Sequence, residues 1–194
     1  MRECQAMTPD NAAPPAVEIR PLQPRDWAAL RQARLAALAE SPGAFFSTLE
    51  AEQAFDEQEW RRRLAQDAYF GAWAAGPEPG LTGLVAAFPE RRPDGQDARP
   101  AAGDATWHLV AMWVSPARRG QGIADRLVAA VCDRARAEGA ARVALWVADA
   151  NPRAQAFYRR LGFALSGERA LMRAADPGSG EARMTLDLAD RPGA

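Results

Sequence analysis

From Val17 the chain alternates: "VEIRPL" sets apolar and polar residues on opposite faces, as a half-buried strand requires. The period then lengthens. Trp27, Leu30, Leu35 and Leu38 in "PRDWAALRQARLAALAE" recur near helical spacing, which predicts a helix, and "SPGAFFSTLEAEQAF" breaks it with Ser-Pro-Gly. "DEQEWRRRLA" resumes a short helical pattern, with Asp56 placed to cap it. "YFGAWAA" and "LTGLVAAF" read as two strands joined by the turn "GPEPG". Residues 89–104, rich in Pro, Gly and charge, read as a long, mobile loop able to sit over a site.

The strand "TWHLVAMWV" follows, and a helix is predicted from about Gly120 to Glu138, with Ile123, Leu127, Val131 and Ala135 on one stripe and Gly139 as its stop. "ARVALWVAD" is almost continuously apolar, which predicts a strand buried on both faces and flanked by helices. Asn151 caps the next helix, with Pro152 at its first position, and "RAQAFYRRL" carries it to Gly162. "FALSGERALM" and "ARMTLDL" close the pattern as two strands around the loop "RAADPGSGE". The order strand, two helices, three strands, helix, strand, helix, two strands predicts one mixed α/β domain beginning near Ala16. Residues 1–15 are polar, Pro-containing and aperiodic, and read as a disordered tail.

Composition narrows the function classes. The 194 residues suit one domain, and 24 basic residues against 25 acidic ones, net −1, provide no basic face for nucleic acid. All the basic residues are Arg. Cys4 lies in the tail and Cys132 in an apolar helical pattern, so neither a disulfide framework nor a cysteine zinc site is supported and no metal is expected. No apolar core of a signal peptide and no run of about 18 apolar residues occurs, so no membrane partner and a cytoplasmic location are expected.

The stretch that bears on chemistry is "RRGQGIAD", between the strand "TWHLVAMWV" and a helix. Gly120 and Gly122 let backbone approach an anion at a helix start, where N–H groups are unsatisfied, and Arg118 and Arg119 add charge. A tight strand-to-helix turn is the competing reading of a bare G-x-G. The mononucleotide loop is ruled out because the chain has no Lys, and the dinucleotide fingerprint because Asp125 stands where the third glycine would be.

The segment resembles the acetyl-CoA signature R/Q-x-x-G-x-G/A of the GNAT N-acetyltransferase superfamily, met by Arg119, Gly120, Gln121, Gly122, Ile123 and Ala124. A second block, "NPRAQAFYRRLGF", resembles that family's N-x-x-A-x-x-F-Y-x-x-x-G-F. The resemblance implies an α/β fold, a single GNAT domain over about residues 16–190 with a mixed, mostly antiparallel sheet of six to seven strands and about four helices. It also implies acetyl transfer from acetyl-CoA directly to a primary amine of a small molecule or peptide, with a homodimer left open. Residues 119–124 and Arg118 would hold the pyrophosphate, the strand around Met112 and Val114 would clasp the pantetheine arm, and Asn151 would touch CoA.

Tyr158, seven residues beyond Asn151 and so on the same helix face, matches the family's proton donor to the departing thiolate; packing in the core is the other reading. His108 is the only histidine and is placed by strand alternation on one face with Val110, Met112 and Val114. It is a candidate general base, or else a packed, hydrogen-bonded residue. Glu50 and Glu52 compete for that role, and Phe46 and Glu50 fall in the segment that in the family shapes the acceptor pocket; a solvated acidic loop is the alternative. Cys132, mid-helix, offers no nucleophile for a covalent route. A CoA-binding or ligand-sensing module without transferase activity remains the rival function.

Overall fold

The alternating segments become seven strands of one sheet: β1 (Val17–Pro21), β2 (Ala68–Ala74), β3 (Gly80–Pro89), β4 (Thr106–Val114), β5 (Arg142–Ala148), β6 (Ala164–Leu171) and β7 (Gly180–Asp187). Their spatial order is β1-β2-β3-β4-β5-β7-β6. The computed structural model describes residues 16–75, 80–90, 105–171 and 180–188; the 1–15 tail and residues 76–79, 91–104 and 172–179 of the predicted loops lie outside the described residues.

Five helices flank the sheet: α1 (Trp27–Glu40), α2 (Leu49–Gln53), α3 (Glu57–Gln66), α4 (Ile123–Ala137) and α5 (Pro152–Arg160). The one beyond the four expected is α2, five residues begun by the Thr48 hydroxyl, which accepts from the Ala51 N–H at 3.2 Å. So short a helix leaves no periodicity to read. Asp56 does cap α3, accepting from the Glu59 N–H at 2.8 Å.

Neighbouring strands are antiparallel except β4 and β5, which run parallel because α4 carries the chain back between them. On one face α4 and α5 bury Leu127, Val131, Ala135 and Phe163 against Val85, Leu109, Val143, Leu145 and Met184. On the other, α1 and α3 bury Leu30, Leu38, Trp60 and Leu64 against Tyr69, Leu84, Ala86 and Trp113. Each fully buried side chain of this size contributes about 1.5–3 kcal/mol, so both helix layers are held by the sheet rather than by their own propensity.

Two sequence expectations are corrected. The strand β5 is buried on both faces only in its first half: Val143, Leu145 and Val147 are buried under α4 and α5 and Ala144 is buried on the opposite face, but Trp146 and Ala148 beyond it are only half-buried. Helix α4 starts at Ile123, not near Gly120, because Gly120 and Gly122 adopt left-handed φ values of 79° and 71° that a helix cannot contain. Its stripe of Ile123, Leu127, Val131 and Ala135 is buried as expected, and Gly139, at φ 77°, follows its end.

Candidate functional site

Strands β4 and β5 pair only from Thr106 opposite Arg142 to His108 opposite Ala144, and then diverge. A cleft of about 760 Å³ opens where they part. Its walls are Leu109 to Val114 of β4 and Leu145 to Ala148 of β5, with Asn151, Ala154, Phe157 and Tyr158 on the α5 side and Ser41, Ala44 and Phe45, which follow α1, on the other.

The divergence has a local cause in β4. Leu84 pairs with Trp113 and Ala86 with Val110, so Ala111 and Met112 together stand opposite Val85, a β-bulge that bends the strand. Ala111 takes a left-handed φ of 56°. The extra residue also reverses the alternation. Trp107, Leu109, Met112 and Val114 pack on the α4 side, while Val110, Ala111 and Trp113 pack on the α1 side. The expectation that His108 shares a face with Met112 and Val114 is therefore corrected: one inserted residue moves everything after it to the other face. A non-glycine residue held left-handed costs about 1–3 kcal/mol, more for a β-branched one. Ala111→Val is expected to destabilise the protein by about 2 kcal/mol in urea titration, and Ala111→Gly to be tolerated. Equal stability of the Val variant would contradict the bulge geometry.

Beyond β4, Pro116–Arg118 form a 3-10 turn and the glycine loop follows. A Cβ built on Gly120 or Gly122 meets nothing within 4 Å, so the space before the loop is open. The N–H groups of Gly120, Gln121, Gly122, Ile123 and Ala124 donate no backbone hydrogen bond outside helices and strands. At the start of a helix of 15 residues they are the donors an anion would use. Arg118, Arg119, Gly120, Gly122, Ile123 and Ala124 line the cleft, as do Met112, Val114 and Asn151; Gln121 does not.

The two arginines differ. Arg119 donates from Nε to the Val114 carbonyl at 3.0 Å and from a terminal nitrogen to both Glu40 oxygens at 2.7 Å. Glu40, the last residue of α1, also accepts from the Trp113 indole at 2.8 Å. Arg119 is thus a strut between the loop and α1, whereas Arg118 makes no ion pair among the described residues. The Trp113 indole, and then Arg119, hold the Glu40 carboxyl below the usual carboxylate range. Its stabilising contribution is therefore complete near neutral pH and is lost as pH falls through the depressed value. Glu40→Ala is expected to cost about 1–2 kcal/mol near pH 7 and less at acid pH, measured by thermal unfolding across pH; a pH-independent difference would rule this out.

On α5, the Asn151 side chain caps the helix by accepting from the Ala154 N–H at 3.0 Å. Tyr158 is 6 % exposed and packs edge-on against Phe157 and Phe163 at 5.0 and 5.5 Å. Burial pushes its phenol above the ordinary tyrosine value, so the group holds its proton at neutral pH. Arg160 ties α5 to the first turn of α4 through Asp125 at 2.6 Å.

Besides Gln121, four sequence candidates fall outside the cleft wall: His108, Phe46, Glu50 and Glu52. His108 Nδ1 meets Glu90 Oε1 at 3.2 Å, and the other Glu90 oxygen accepts from Arg183 at 2.6 Å. Phe46 is 79 % exposed, and it is Phe45 that lines the cleft. Phe45 lies in extended backbone, where successive side chains face opposite ways, and its ring sits 4.5 Å from the Arg34 guanidinium. That guanidinium is buried and held by Glu52 through contacts of 2.8 to 3.2 Å. Glu50, two residues away on α2, lies on its exposed side. Neither acid of this segment reaches the cleft: one fixes the wall residue Phe45 through Arg34, the other is solvated. Phe45 and Ala111 are among the wall residues that sequence reading missed. Phe45 could have been found from its place beside Phe46, but nothing in the local pattern marks the bulge.

Among the described residues no group of His, Cys, Asp and Glu could hold a metal, and no helix is long and apolar enough to cross a membrane.

Comparisons with known proteins agree with this geometry. No curated protein sequence matches the chain. Among solved structures, a GNAT-family acetyltransferase of Streptococcus pneumoniae superposes with a TM-score of 0.66 at 18 % identity, covering 89 % of this chain and 99 % of that one. NAA60 of Arabidopsis thaliana in complex with acetyl-CoA gives 0.66 at 17 % identity, covering 90 % and 99 %. An N-acetyltransferase of Staphylococcus aureus gives 0.63 at 18 %, covering 89 % and 99 %. These likenesses concern the fold. The sequence itself matches the Acetyltransferase (GNAT) family over residues 35–163, and with the splayed strands and glycine loop in place the chain belongs to the GNAT acetyltransferase family.

Proposed function

We propose that the protein transfers an acetyl group from acetyl-CoA directly to a primary amine of a small molecule or peptide. The observation that carries the reading is the buried phenol of Tyr158 on the wall of a cleft that runs from the open glycine loop to the gap between β4 and β5. Acetyl-CoA would supply an activated acyl thioester. The residues fit it: the N–H groups of Gly120 to Ala124 and Arg118 suit a pyrophosphate, and the parted strand edges offer backbone partners to an amide-bearing arm. Tyr158 keeps its proton for the departing sulfur. Backbone N–H groups beside the Ala111 bulge are the donors for the developing oxyanion. His108, its Nδ1 tied to Glu90, lies outside the cleft wall.

Calorimetric titration with acetyl-CoA, followed by free-thiol release across an amine panel, tests this. Binding with transfer supports it; binding without transfer to any amine would favour the CoA-binding module. A cytoplasmic location is part of the proposal, in keeping with two cysteines whose spacing in the sequence supports no disulfide framework. Recovery of the protein from an extracellular or membrane fraction would overturn that part.

A further inference from the structure

A transferase built on this cleft needs a group to take the proton from an acceptor ammonium, whose ordinary pKa is about 10. The acids of the α1–α2 side are excluded: Glu50 is exposed and Glu52 is spent on Arg34. The opposite side of the cleft offers another. Residues 181, 183 and 185 of β7 alternate with Ala182, Met184 and Leu186, of which Met184 and Leu186 are buried in the α4–α5 core, so Glu181 projects from the face that α4 and α5 leave uncovered. Ladder pairing sets Glu181 directly opposite Ala148, and Ala148 and Trp146 are both wall residues of the cleft.

The surroundings of Glu181 are uneven. On β7, Arg183 is engaged by Glu90 and Glu168. Asp149, just beyond β5, is paired with Arg169 of β6. From β4, the charge of His108 acts on Glu181 with opposite sign to that of Asp149. The Glu181 side chain makes no hydrogen bond or ion pair among the described residues. Desolvation, with a smaller contribution from Asp149, pushes its carboxyl above the ordinary value while His108 pulls the other way. Glu181 stands one strand over from the wall residue Ala148, and a carboxylate there without an ion pair would balance the charge of an ammonium held at that edge of the cleft.

We propose that Glu181 is the general base of the reaction and the recognition group for a cationic amine, a role that rests on the transferase reading above. Glu181 takes one proton from the acceptor ammonium. The neutral nitrogen forms the amide bond to the acetyl carbon as the carbon–sulfur bond breaks, and sulfur receives the Tyr158 proton. The second proton shed by nitrogen returns through solvent to the Tyr158 oxygen, and Glu181 releases its own to solvent, so one proton is produced per turnover.

The test compares Glu181→Gln, Glu181→Asp and His108→Gln with the unmodified protein, on an amine found by free-thiol release. Glu181→Gln is expected to lower kcat about 100-fold and to remove the acid limb of the pH–rate profile, with acetyl-CoA affinity unchanged. Glu181→Asp should restore part of the rate. Because a raised carboxyl is a cost to the folded state above its unfolded pKa, the Gln variant should unfold at an equal or higher temperature near pH 7, which separates a chemical loss from a folding defect. His108→Gln should cost less than Glu181→Gln. Wild-type kcat and pH profile in Glu181→Gln would overturn the proposal, as would a larger loss in His108→Gln. If the unmodified protein acetylates no amine, the transferase reading fails and this role falls with it; if it does, the Glu181 variants alone decide.

Discussion

Tyr158→Phe is expected to lower kcat about 1000-fold while leaving the Kd for acetyl-CoA within about threefold, because positioned proton donation contributes roughly 10²–10⁴ in rate. The substitution isolates the proton. The phenol makes no hydrogen bond among the described residues, so its removal leaves no buried partner unsatisfied, and phenylalanine retains the edge-on packing against Phe157 and Phe163. Thermal stability should stay level or rise, since a buried hydroxyl is removed from a site that is 6 % exposed. Pre-steady-state thiol release should show the slowed step as bond cleavage rather than product departure. A variant that turns over at the unmodified rate would reduce Tyr158 to a packing residue.

The second expectation concerns the cradle. Gly122→Glu should weaken acetyl-CoA binding about 1000-fold, measured by calorimetry. The loss has one main source. A carboxylate among the loop N–H groups repels the anionic cofactor by several kcal/mol and fills the open space before the loop. Tenfold in affinity is 1.4 kcal/mol, so a cost of about 4 kcal/mol gives the stated change. The strain of a side chain at φ 71°, about 1–3 kcal/mol, falls on free and bound protein alike and lowers stability instead; the space before Gly122 is empty to 4 Å, so the variant should still fold. Gly120→Glu should act in the same direction at φ 79°. Retained affinity in both variants would show that the glycines only turn the chain into α4.

The seven strands, four of the helices and their order are legible in the sequence because each rests on a local rule: alternation or a short apolar run between turn signals for β1 to β7, the 3.6-residue stripe of α4, Asn151 and Asp56 as caps, and glycine beside each end of α4. The glycine loop and Tyr158 are legible for the same reason. They sit at fixed offsets from elements whose geometry is itself local, so spacing along the chain becomes spacing in the cleft.

Tertiary structure decided the rest. The Ala111 bulge depends on a register shift between two strands, and it decides which of the following residues of β4 face α4 and which face α1. Which of Phe45 and Phe46 enters the wall depends on Arg34 and Glu52, from two different helices, meeting in the core. The division of labour between Arg118 and Arg119 depends on Glu40, which lies 79 residues from Arg119 in the chain. Glu181 gains its setting only when β7 inserts between β5 and β6, bringing it opposite Ala148. The sequence by itself determined most of the elements, the fold family and the glycine loop at the start of α4, since these follow from short-range periodicity and steric freedom. Face, partner and charge environment belong to long-range pairing, and a single inserted residue is enough to reverse them.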